Sequence, residues 1–239
     1  MVIVVAILLA LAANLLKPYQ DKNIKAEKIQ YILAAAGIET SRDQAEELFD
    51  RFIVEELVVD RDGNVLSVYK DDKLQTGEVR AFNVDLKVEM KKMKDFQEDP
   101  SKPEPLLPLY VCVKDNDTLY IVPMRGVGLW GPIYGNIAFK RDMNTIAGAN
   151  FAHDKETPGL GAEISEPFFY NQFIGKTIFD DNGQFQSVRV IKGGVKNASI
   201  DPSHGVDAIS GGTITSNAVS QMVKDCLENY ITYFNNNHR

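Results

Sequence analysis

The chain is poor in the residues from which most metal and thiol redox centres are built. Of 239 residues, two are cysteine, three are histidine and one is tryptophan. Cys112 lies in an apolar, strand-like run and Cys226 on the apolar stripe of the last periodic segment, so neither has a partner at the close spacing of a zinc or dithiol motif. That placement reads as two buried thiols and leaves a single disulfide between them open. His153 and Glu156 stand three apart, but a metal site needs at least one further placed ligand and the histidines run out; no metal is expected. Basic runs are also missing. With 26 Lys and Arg against 33 Asp and Glu, the net charge is −7, which excludes the concentrated basic face that nucleic-acid binding requires. No internal repeat is present.

A hydrophobic content of 44% over this length supports one main core plus an appendage. The appendage is Met1 to Leu16, apolar apart from Asn14 and closed by Lys17-Pro18. It falls somewhat short of the roughly 20 residues that cross a bilayer as a helix. Three readings compete: a transmembrane anchor whose start is cut, a signal peptide and a buried helix. No positive charge precedes the run, which counts against a signal peptide although Ala10-Leu11-Ala12 resembles a cleavage site; the membrane anchor fits best. Lys17, Lys22, Lys25 and Lys28 follow the run, so the positive-inside rule taken literally puts the body in the cytoplasm.

Residues 19 to 36 read as a helix with an apolar stripe of Ile24, Ile29, Ile32 and Leu33, stopped by Gly37. Ser41 is a candidate N-cap for a second helix through Ala45, Leu48, Phe49, Phe52 and Ile53. These two form a stalk and cover over residues 17–56, and the main domain runs from 57 to 239. Asp60-Arg61-Asp62-Gly63 is a hairpin turn. The alternation of Phe82, Val84, Leu86, Val88 and Met90 with polar residues predicts a half-buried strand, and Lys91 to Pro108 a loop. Further strands are expected at 110–113 and 118–122, at 135–140 and 145–149, and at 185–191. Val219, Met222, Val223, Cys226, Leu227, Tyr230, Ile231 and Phe234 give a final amphipathic helix over about 215–234. An antiparallel sheet with helices packed on it is an α+β domain.

Three stretches carry chemistry. Asp207-Ala208-Ile209-Ser210-Gly211-Gly212-Thr213-Ile214-Thr215-Ser216 runs into that final helix. Paired glycines let backbone approach a ligand, and a helix start offers free N–H groups and partial positive charge to a phosphate. On residues alone it is equally a turn with an N-cap, Thr215 or Ser216 being the cap. His153-Asp154-Lys155-Glu156-Thr157-Pro158-Gly159-Leu160-Gly161 is a tight loop between elements. Arg125 to Gly135 sets Trp130 among four glycines, either as core or as an aromatic plane held on a loop.

The first stretch resembles the flavinylation motif Asp-x-x-Ser/Thr-Gly-Ala-Thr-x-Ser/Thr of bacterial FMN-binding domains, in which a flavin transferase joins FMN to the threonine through a phosphoester. Asp207, Ser210, Gly211 and Thr213 match, and Gly212 stands where alanine is usual. The second resembles the family's His-x-Glu-Thr-Pro-Gly-Leu-Gly signature, with one extra residue between His153 and Glu156. Around Trp130 the chain is similar to the Gly-Leu-Trp segment of the NqrC family, a component of Na+-translocating NADH:quinone reductases. With the apolar start followed by Lys17-Pro18-Tyr19-Gln20, the resemblance extends nearly end to end. The related FMN-binding component of the Rnf electron-transport complex shares the domain and both later motifs; the Trp130 segment favours the NqrC family.

The resemblance implies a membrane-anchored flavoprotein subunit that relays electrons through covalent FMN on Thr213, a redox relay rather than a complete active site. It implies Ser210, Gly211, Gly212 and Asp207 around the phosphate, and Glu156, Thr157, Gly159, Leu160 and Gly161 beside the flavin ring. Trp130 would lie near the cofactor, and Lys192, in Lys192-Gly193-Gly194, would be a further wall whose cation favours reduced flavin. Implied partners are the other subunits of a membrane respiratory complex, a flavin transferase and the lipid bilayer. NADH, quinone and Na+ sites would lie on other subunits, and the domain on the periplasmic side of the inner membrane. Rival readings are an Rnf-type electron carrier, a noncatalytic FMN-binding sensor, and a flavin-free interaction domain.

Overall fold

Strand β4 (Leu107–Lys114) is buried at each of its first six residues, which requires cover on both faces of its sheet. The computed structural model describes residues 2–237, and in it β4 is central. It lies between β1 (Ile53–Val59) and β5 (Asp117–Val127), with β2 (Val65–Lys70) and β3 (Lys73–Thr76) beyond β1, and β6 (Pro132–Phe139) and β7 (Ile146–His153) beyond β5. All neighbours in this seven-stranded sheet are antiparallel. Alternate β4 residues serve opposite cores. Leu107, Leu109 and Val111 face one, and Tyr110 and Cys112 the other.

One face is covered by α1 (Val2–Ala35) and α2 (Ala45–Phe52). Ala26, Ile29, Ile32 and Leu33 recur at helical spacing and pack with Phe49, Cys112, Ile121 and Ala138. Ending α1, Gly37 takes φ +68°, and the Gly37 and Ile38 amides bond back to the carbonyls of Ala34 and Leu33. The first half of α1 is exposed, and the helix is long and apolar enough to cross a membrane. The other face is covered by α5 (Thr213–Leu227) and, after one 3-10 turn, α6 (Ile231–Asn237). Val219, Met222, Val223, Cys226, Leu227, Tyr230 and Phe234 form the stripe expected from the sequence and pack with Val122, Met124 and Ile137. Both cysteines are free and buried, on opposite faces, and burial pushes the Cys226 thiol up to about 11. The fold is α+β.

Four local expectations change. α1 runs unbroken through Pro18, so the apolar run and the stalk are one helix. Ser41 does not cap α2; it precedes a turn closed by Gln44 N–H donating to Ser41 O, and Ile53 opens β1. Residues 82–90 are not a strand: a 3-10 turn at Ala81–Asn83 leads to Asp85, which caps α3 (Leu86–Glu98) by accepting from the Lys87 amide. Leu86, Glu89, Met90 and Met93 are the sheltered residues, a 3.6-residue pattern that the 2-residue alternation mimics over one turn. Of 185–191, only β8 (Arg189–Ile191) is a strand, and it pairs in parallel with β9 (Gly205–Asp207).

Candidate functional site

At one end of the sheet, three loops meet on a single buried carboxyl group. The β5–β6 turn is closed by the Gly128 amide donating to Gly131 O at 2.7 Å, which projects Leu129 and Trp130 outward, Trp130 with 62% of its surface exposed. The loop after β7 turns Glu156 inward, where it is 5% exposed. One Glu156 oxygen accepts from the Trp130 amide at 2.9 Å, and the other accepts from the Thr215 hydroxyl at 2.6 Å. His153 Nδ1 accepts from the Glu156 amide at 3.2 Å, which fixes the start of the loop. Gly128 and Gly161 make room: a Cβ on either would stand within 2.5 Å of a Glu156 oxygen. The carboxyl group therefore holds the tryptophan turn, the Glu-Thr-Pro-Gly-Leu-Gly loop and the start of α5 in one arrangement.

The remaining loop residues shape the surface above this tie. Thr157 is exposed, and its carbonyl accepts from the amides of Leu160 and Ala162. Gly159 takes φ +74°, with its amide donating to Glu163 at 3.0 Å. Leu160 stays half exposed and lies against the glycine pair: a Cβ on Gly211 would come within 2.6 Å of Leu160 Cδ2, and one on Gly212 within 3.1 Å of Leu160 O.

α5 opens without a side-chain cap. Gly212 occupies the cap position, and Thr215 and Ser216, the caps expected from the sequence, lie inside the helix with their hydroxyls committed elsewhere. Thr215 binds Glu156, and Ser216 Oγ accepts from the Ile209 amide. The first amides of an α-helix have no acceptor within it, so an uncapped start leaves them for an anion. Thr213, at the first helical position, is only partly covered, and Ser210 is exposed. The two glycines differ. Gly211 has φ +75°, whereas Gly212 has φ −102°, an angle open to any residue, with Cβ space that is tight but present. We expect Gly211→Ala to lower stability by about 1–2 kcal/mol, from the left-handed angle and the clash with Leu160, and Gly212→Ala by less than about 1 kcal/mol. Urea denaturation of both variants checks this, and equal losses would contradict it.

Asp207 and Lys192 are brought to each other rather than to Glu156. Ile191 pairs with Asp207 across β8 and β9, so Lys192 is the next residue outward and is exposed. The Asp207 carboxylate accepts from the Val195 amide at 2.7 Å, and its own amide donates to Gln172 at 2.8 Å. Asp207 thus braces the glycine turn after β8. Reading the sequence alone misses the Glu156–Thr215 bond, the clearance at Gly128 and the exposed Ile214 beside Thr213. Gly-x-Gly before Leu-Trp is the available signal for the second, but nothing local marks the first. The largest cleft, about 560 Å³, lies elsewhere, lined by Tyr31, Phe82 and Tyr134 on the α1 face. The motif residues form an open, partly apolar surface of Trp130, Leu160 and Ile214, not a closed pocket.

An antiparallel α+β domain with these loops gathered at a helix start is the class of the FMN-binding domain, and residues 128–228 match that family. The chain belongs to the NqrC family of Na(+)-translocating NADH-quinone reductase subunits. It is 34% identical over 221 residues to the family member of Vibrio anguillarum, covering 91% of this chain and 82% of the relative. Against the Pseudomonas aeruginosa member it is 35% identical over 230 residues, covering 92% and 85%. The crystal structure of the Parabacteroides distasonis member superposes with a TM-score of 0.75 at 36% identity, covering 92% of this chain and 96% of that one.

Proposed function

We propose that FMN is joined through its phosphate to the Thr213 hydroxyl, and that the chain relays electrons through it as one subunit of a membrane-bound Na+-translocating NADH:quinone reductase. The observation that carries this reading is the Glu156 tie, which gathers all three motif loops around an uncapped helix start bearing an accessible threonine. The residues present fit the group. The first α5 amides and Ser210 suit phosphate oxygens; Leu160 and Trp130 offer apolar and aromatic surface for the ring system; Lys192 supplies a cation within the same loop cluster.

When bound, FMN supplies one- or two-electron redox chemistry. The chain's own part is to hold it. Gly211 and Gly212 let backbone approach the phosphate, Glu156 keeps the walls in register, and Asp207 braces the Lys192 turn. Gly159 and Gly161 let the loop that carries Thr157 and Leu160 turn back over α5. Covalent attachment suits an open surface, because a site with few walls would not retain a dissociable flavin. A flavin transferase performs the attachment, α1 anchors the chain in the membrane, and the domain stands on the periplasmic side. The NADH, quinone and Na+ sites belong to partner subunits. Co-expression with a flavin transferase followed by a denaturing gel is the test. A band of the chain's mass with flavin fluorescence is expected, and a dark band despite an active transferase would end the covalent reading.

A further inference from the structure

The direction in which α1 leaves the domain fixes which end of the sheet faces the membrane. The Tyr31 carbonyl accepts from Asn150, the strand partner of Asn136, and the Ala35 carbonyl lies against Gly148, the partner of Ala138. Four helical residues rise about 6 Å and two strand residues about 7 Å, so α1 and β6 run side by side in the same direction. Following α1 back from Tyr31 to Leu16 covers about 22 Å. Following β6 back from Asn136 to Pro132 covers about 13 Å, and the Gly128–Gly131 turn projects several ångströms further. The tip of the β5–β6 hairpin therefore ends close to the level at which the apolar run gives way to Lys17, within the few ångströms of a headgroup layer.

That tip has the composition of an interfacial seat. Val127 is 74% exposed, Trp130 62%, and Leu129 is nearly half exposed. Behind it lies a recess lined by Lys87, Lys91, Lys94 and Arg125 together with Val127 and Pro132. None of these four cations forms an ion pair among the described residues, in a chain whose net charge is −7. Exposed aliphatic residues and a tryptophan backed by unpaired lysines match the amphipathic, anionic character of a lipid headgroup layer.

We propose that the β5–β6 tip, Val127-Gly128-Leu129-Trp130, seats in the headgroup layer of the leaflet from which α1 emerges, with Lys87, Lys91, Lys94 and Arg125 drawing it onto anionic lipid. The proposal rests on α1 as a membrane anchor and not on the flavin reading. Since Leu160 and Thr213 belong to the same loop cluster, the seat turns the whole candidate site toward the membrane rather than toward bulk water.

The test uses the single tryptophan. The full chain, made without flavin transferase so that no flavin quenches it, is reconstituted into vesicles of phosphatidylethanolamine and phosphatidylglycerol, with Trp130→Phe as the blank. Lipid brominated near the glycerol end of its acyl chains is expected to reduce Trp130 emission about two-fold relative to unbrominated lipid. Val127→Asp with Leu129→Asp is expected to remove that quenching while the chain stays carbonate-resistant in the membrane. Unquenched, red-shifted emission from a chain that is demonstrably membrane-inserted would overturn the proposal and leave the tip for a protein partner. Quenching that survives the double substitution would overturn it as well, because Trp130 would then reach lipid without the seat.

Discussion

Thr213→Ala, co-expressed with a flavin transferase, is expected to lose flavin fluorescence on a denaturing gel completely, while Thr213→Ser retains a band. The loop holds four hydroxyls, and burial separates them. Thr215 is 2% exposed with its proton donated to Glu156, and Ser216 is fully buried against the Ile209 amide. Only Ser210 and Thr213 are accessible, and Thr213 alone stands at the first position of α5, where unsatisfied amides collect an anion. Alanine is a good helix former, so the change should alter stability by no more than about 0.5 kcal/mol, which keeps loss of flavin distinct from loss of fold. Fluorescence persisting in Thr213→Ala would move the acceptor to Ser210. Thr215, its near neighbour in sequence, is closed off by its bond to Glu156.

The second large effect is expected at Glu156. Truncation to alanine leaves the Thr215 hydroxyl buried without an acceptor and frees the Trp130 amide, each a lost hydrogen bond to a carboxyl group. Together these amount to about 3 kcal/mol. For a domain of this size that corresponds to a fall of roughly 6–12 °C in Tm. The same variant should be flavinylated poorly although Thr213 is intact, because the loops that frame the acceptor are no longer tied. Glu156→Gln keeps an acceptor for one partner and should fall between the two. A thermal melt of Glu156→Ala within a degree of the unsubstituted protein would show that the tie contributes little.

The two substitutions differ in what they read. One removes an atom that the modification requires, and the other removes a support beneath it. If both abolish flavin but only Glu156→Ala melts early, acceptor and scaffold are separated.

Much of this is legible in the residues. The α5 stripe is long, so its 3.6-residue period stands out from any alternative. The hairpins at Asp60–Gly63 and Lys114–Asp117 carry turn residues between β-rich runs, and both form. The failure at 82–90 has a definite cause. Phe82, Val84, Leu86, Val88 and Met90 alternate, but Asp85 offers a cap, and Glu89 has the polarity of a solvent-facing residue. In the fold Glu89 is buried, accepting from Lys92 and from the Leu106 amide, a partner seventeen residues away. A polar residue satisfied by a distant amide defeats any pattern based on hydrophobicity.

The same reason divides the whole protein. Features carried by contiguous residues can be read from the chain alone: the apolar helix, the α5 stripe, the turns, and the three motifs with Thr213 at the head of a helix. Periodicity and local backbone preference suffice for these, because the interacting groups lie within a few residues of each other. Three-dimensional packing was needed to turn Glu156 inward onto Thr215, fifty-nine residues on, to set Asp207 against the Lys192 turn, and to point the Trp130 tip and α1 toward the same side. Those relations depend on which strands become neighbours and in what register, and no local preference in the chain encodes either.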